Sequence, residues 1–131
     1  MDDHVVEPPS LWTDRLPARF SDIGPRVVRE PAGIALFRGG VATYLPDESG
    51  RMADWWQYED LKVPMSRLSA AVGYPRDQVD LSMITYEEMR PGCYDVAARL
   101  ADMDVNWVAA SLCFPMFPRF CGQTFYEAED K

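Results

Sequence analysis

The sequence predicts an α/β chain, and three observations predict it. A β-branched run, "DHVVE", opens the chain; an almost continuous apolar run, "WVAASLCF" (107–114), comes near its end; and the clearest helical periodicity, "YDVAARLADMDVN", stands directly before that second run. Strand, helix and strand in this order is the signature of parallel strands joined through a crossover helix. A strand apolar at nearly every position is expected in a sheet covered on both faces.

The elements follow in order. The first strand must stop at Pro8-Pro9, because proline has no N–H for a sheet ladder. Ser10 suits the N-cap of a turn carrying Leu11 and Trp12. In "PRVVREPAGIALFRGGVATYL" two or three short strands are expected, at 26–29, 34–37 and 41–44, with Gly39-Gly40 as a tight hairpin turn. The polar, acidic "PDESGRMADWWQYED" reads as an excursion over the surface, with Trp55 and Trp56 packing beneath it. "SRLSAAV" before Gly73 and Pro75 reads as a short helix closed by a glycine. Thr85 and Glu88 have capping-box spacing, enough for one helical turn before Pro91. The main helix is capped by Asp95, places Val96, Leu100 and Met103 on one face, and leaves through Asp104 to Asn106.

Composition bounds the function. At 131 residues, 47% hydrophobic and 26% charged, the chain has the size and balance of one globular domain, 1–131. A net charge of −8 disfavours nucleic acid and anionic membrane as partners, since both call for a basic surface. No apolar stretch reaches the roughly 20 residues of a membrane span, and the start lacks the layout of a signal peptide, so a cytoplasmic location is expected. Cys93, Cys113 and Cys121 form no CxxC pair and are expected as reduced thiols, Cys113 as a small hydrophobe within its strand. A nucleophilic cysteine would need a base, and the sequence has a single histidine.

That histidine is the most informative residue. On a strand, positions 2 and 4 share a face while Asp3 points the other way. Asp2 and His4 together offer a hard oxygen and a borderline nitrogen, which suit Zn²⁺, Mn²⁺ or Fe²⁺. On spacing alone the signal for a metal is weak, and a solvated start to a strand is the favoured reading.

Three stretches, "DDHVVEPPSLW", "EEMRPGCYDVAARLADMDVNWVAASLCFP" and "FPRFCGQTF", together resemble the amidohydrolase-2 family of metal-dependent TIM-barrel hydrolases and decarboxylases. The resemblance runs from Met1 to Phe125. It implies the N-terminal portion of a (β/α)8 barrel carrying an inserted β-hairpin and loop region. It implies one divalent metal, Zn²⁺ first with Mn²⁺ or Fe²⁺ as other candidates, held by Asp2 and His4 on the first barrel strand. Family barrels are two to three times longer and complete the site with a later histidine and aspartate, so these 131 residues are expected to be inactive alone.

The implied substrate is a small cyclic or aromatic carboxylate, lactone or amide. Arg119 would pair with an anionic group, Phe117 or Phe120 would cover a ring, and Glu7 would either meet substrate or orient the loop. Hydrolysis and the related non-oxidative decarboxylation use the same metal, and a homo-oligomer fits either. A reading from another class is a small α+β interaction module without catalysis, binding a partner through the hairpin edge or the tryptophan stretch.

Overall fold

The structure, a computed structural model, describes residues 2–38, 41–45, 50–126 and 128–129; of Asp2 and residues 34–38 and 41–43 it describes the backbone alone. In chain order the elements are β1 (Asp2–Val5), β2 (Arg26–Pro31), β3 (Ile34–Arg38), β4 (Val41–Leu45), β5 (Met52–Tyr58), β6 (Leu61–Pro64), α1 (Val96–Val105), β7 (Leu112–Pro115) and α2 (Gln123–Tyr126), with short 3₁₀ turns between them. The chain is thus a mixed α/β structure. Among the described residues no helix is long and apolar enough to cross a membrane.

β1 and β7 pair in parallel, in the register Asp2 to Leu112 and His4 to Phe114. α1 comes directly before β7, and its Arg99 reaches back to Asp3 and to the Gly92 carbonyl. This is the anticipated strand–helix–strand order. Asp95 caps the helix by accepting the Ala98 N–H at 2.7 Å.

Two expectations about this unit fail. The terminal strand is confined to Leu112–Pro115, and Leu112 and Cys113 are exposed, so the apolar run 107–114 is not a strand covered on both faces. Trp107 is 95% exposed and lies outside the strand. The helix face meant for a core is likewise open: Val96 is 68% and Leu100 56% exposed, and only Met103 is half-buried. On the Cys113 side α1 meets the strand pair through Arg99, bonded to Asp3, and its Val96 and Leu100 stay exposed.

The core lies elsewhere. β2, β5 and β6 form an antiparallel sheet in that order, with β5 central, and β3 and β4 form a separate antiparallel pair. The strands at 26–29, 34–37 and 41–44 thus appear with longer bounds, while the Gly39-Gly40 turn lies outside the described residues. The second half of the expected surface excursion is in fact β5, the best-buried strand. Alternation sends Trp55 and Trp56 to opposite sides. Trp56, fully buried, joins Val6, Met65, Ile84, Tyr86, Met89 and Phe117; Trp55 joins Ala53 and Met83. Each ring removes ~150–250 Å² from water, on the order of 4–6 kcal/mol, which outweighs the polar character of the flanking sequence.

The one charged residue in that run, Asp54, is 2% exposed and fully partnered. It accepts Arg29 Nε at 2.7 Å, Arg29 Nη2 at 2.9 Å and the Tyr86 N–H at 2.8 Å. Next to it the Thr85–Glu88 capping box forms as expected, with Glu88 accepting the Thr85 N–H at 2.9 Å. Ser66 caps the 3₁₀ turn Arg67–Ala70, shorter than the expected helix, and Gly73 beyond it takes φ +94°.

Candidate functional site

The site is built where β1 and β7 end. Proline at 8 and 9 turns the chain after Glu7, and Pro115 ends β7. Glu7, 5% exposed, spans the gap between the two strand ends: its carboxylate accepts the Met116 N–H at 2.9 Å and the Phe117 N–H at 3.1 Å. Its carbonyl accepts the Tyr86 hydroxyl at 2.7 Å, and the Val6 N–H reaches the Cys93 carbonyl at 3.0 Å. Burial pushes the Glu7 carboxyl above its ordinary value, against the pull of the two amides. These bonds tie the Met116–Phe117 backbone to the end of β1, which is what the orienting role requires.

The two faces of the β1–β7 pair differ. On the helix side, Asp3 is fastened by Arg99 and by the Ser111 hydroxyl, the latter at 2.5 Å. The Arg99 guanidinium, then the Ser111 hydroxyl, hold its carboxyl below the usual carboxylate range. Cys113 is on this side too, exposed, with Sγ 3.9 Å from Asp3 Oδ2, so it is not the covered hydrophobe the sequence suggested.

The opposite face carries His4, which is exposed. Its ring lies 5.8 Å from that of Phe114, which stacks at 5.8 Å on Phe120. His4 and Phe120 are thereby brought onto one continuous aromatic face. Phe114 was missed as a member of it, although its place in an apolar strand opposite position 4 was the available signal. The loop that delivers Phe120 is strained: Arg119 and Cys121 have φ +59° and +57°, a left-handed conformation that side chains disfavour. Arg119 itself is exposed in that loop.

Phe117 needs correcting as a ring-covering candidate. It is 1% exposed, stacked at 5.3 Å on Trp56 and edge-on to Trp12 at 5.7 Å, so its face is spent inside the core.

A divalent ion is tested by the donors present. Asp2 opens β1, and its side chain lies outside the described residues. Asp3 is unsuited, being on the far face and already engaged. Among the described residues no three of His, Cys, Asp and Glu come together as a metal-holding group. Of the expected pair, His4 alone has a described side chain, so the described donors do not by themselves make a metal site.

In comparisons with known proteins, no family model matches the chain and no curated protein matches it.

Proposed function

We propose that this chain is the N-terminal portion of an amidohydrolase-type, metal-dependent TIM-barrel hydrolase. The observation that supports this best is the parallel β1–β7 pair with α1 engaged on the Asp3 side, which leaves His4 on the other face, one residue before β1 ends. A (β/α)8 barrel has that arrangement: helices outside, strand faces inward, and chemistry at the carboxyl ends of the strands. The exposed Leu112 and the half-buried Phe114 would then look into the barrel interior.

Asp2 and His4 would hold one divalent ion, whose chemistry is to polarise a bound oxygen or lower the pKa of a water. The chain's own residues frame that place. Glu7 ties the loop after β7 to the end of β1, so Phe120 and Arg119 follow at a set distance along the chain. Phe120, 65% exposed and stacked on Phe114, is the ring available to a cyclic or aromatic substrate; Arg119, on the same loop, is the candidate partner for its carboxylate. A related non-oxidative decarboxylase would use the same framework.

The test uses the native gene product, purified from its source, with metal content measured by plasma mass spectrometry and activity by a panel of aromatic carboxylates and lactones. His4→Ala should lose bound metal and turnover while retaining its circular dichroism. Full metal content and turnover in that variant would reject the assignment.

A further inference from the structure

Sequence and backbone conflict in the segment 118–122, "PRFCG". Arg119, Cys121 and Gly122 have φ of +59°, +57° and +74°, and only the last of them is a glycine, which takes such angles without steric cost. Arg119 is the extreme case: its ψ is −172°, and at positive φ that region is essentially reserved for glycine. Its ψ is already that of ordinary extended backbone, so the strain lies in φ.

A strained residue persists only where its surroundings over-determine it. The segment is pinned at both ends. The Glu7 carboxylate holds the Met116 and Phe117 N–H groups before it, and after it the buried Thr124 donates its hydroxyl to the Phe117 carbonyl at 2.5 Å. Between those pins, the peptide joining Pro118 to Arg119 makes two long bonds: the Arg119 N–H to the Met116 carbonyl and the Thr124 N–H to the Pro118 carbonyl, each 3.3 Å. Turning that one peptide over would carry Arg119 to negative φ and extended backbone, and would break both. Relief of the strain and loss of two long hydrogen bonds are of the same order, so the two backbone states lie close in free energy.

We propose that 118–122 is a two-state strap that switches by flipping the Pro118–Arg119 peptide, and that the switch sets whether Phe120 stacks on Phe114 beside His4. In the strained state the stack is made, with ring centroids 5.8 Å apart. In the relaxed state the strap gives up its ties to Met116 and Thr124, and Phe120 leaves the stack and uncovers Phe114. The switch belongs to the backbone of this chain and stands whether or not a metal is bound on the His4 face.

The test is relaxation-dispersion NMR on the native gene product, labelled with ¹⁵N and with ¹³C in its phenylalanine rings. The amides of Arg119, Phe120, Cys121 and Gly122 and the Phe120 ring should report one shared process on the μs–ms timescale, with the relaxed state populated at about 1–10%. Arg119→Ala and Arg119→Gly then separate backbone from side chain. Both remove the guanidinium and only alanine keeps the strain, so the relaxed state should be about fivefold or more better populated in the alanine variant. Absence of exchange at these amides in the wild-type protein, equal populations in the two variants, or exchange at the amides without exchange at the Phe120 ring would each overturn the proposal. The wild-type measurement needs no variant, so it decides even if neither variant folds.

Discussion

Glu7 holds Phe117 by its backbone: one carboxylate oxygen accepts the Phe117 N–H at 3.1 Å while the other accepts that of Met116 at 2.9 Å. These residues are far apart in the chain, and the bond joins the end of β1 to the loop leaving β7. Glu7→Ala should strand two amides, one of them buried, at about 1–3 kcal/mol each before relaxation, so a loss of roughly 2–4 kcal/mol is expected in urea unfolding. Because the folded carboxyl lies above its ordinary value of 4.5, its contribution is present below that value and fades as pH rises through the raised one. The stability difference between wild type and Glu7→Gln should therefore shift against the wild type as pH rises through that window, and a constant difference would contradict it.

Asp54 gives a larger effect. Removing its carboxylate with Asp54→Ala leaves the Tyr86 N–H without its acceptor and Arg29 without its best-buried partner, for an expected loss of about 3–5 kcal/mol. A double-mutant cycle with Arg29→Met should show coupling above about 1 kcal/mol, because Arg29 bonds Asp54 through both Nε and Nη2. Additive losses would mean the two act independently.

Asp3 should set part of the acid limb of stability. Its carboxyl is lowered from 3.8 by Arg99 and Ser111, so the stabilisation is present above 3.8 and lost as pH falls through the lowered value. Asp3→Asn should cost about 1–2 kcal/mol at neutral pH and flatten the acid-unfolding curve, as read by circular dichroism.

Trp107 occupies a place better suited to glycine. It follows α1 with φ +57°, where its N–H bonds the Asp104 carbonyl at 3.2 Å and the Val108 N–H bonds that of Met103 at 2.9 Å, the paired closure of a Schellman motif. The side chain is 95% exposed and contributes little packing. Trp107→Gly should raise stability by roughly 0.5–1 kcal/mol, the left-handed cost removed less the entropy glycine adds to the unfolded chain. A lower melting temperature would show that the ring is supporting something.

The thiols should separate by burial. Cys113 and Cys121 are exposed, while Cys93 is half-buried and its thiol is pushed up by that burial. Iodoacetamide at pH 8 should label the first two and spare Cys93 until the protein unfolds, as read by peptide mass spectrometry.

Local chemistry by itself determined much of this protein. Prolines at 8, 9 and 115 ended strands, β-branched runs made β1 to β4, Asp95 capped α1, and Thr85 with Glu88 closed a turn, because each depends on residues within a few positions. The D-x-H pair and its place on the first strand were equally legible. What tertiary structure decided was which surfaces are covered. "PDESGRMADWWQYED" reads as a surface excursion and "WVAASLCF" as core, yet Met52–Tyr58 is the best-buried strand, its tryptophans covered as expected but by distant segments, while Leu112 faces outward. Likewise Glu7 became a tie and Phe117 a core ring through partners more than 100 positions away in one case and in other elements in the other. Burial depends on what the fold lays over a residue, and no local pattern contains that information.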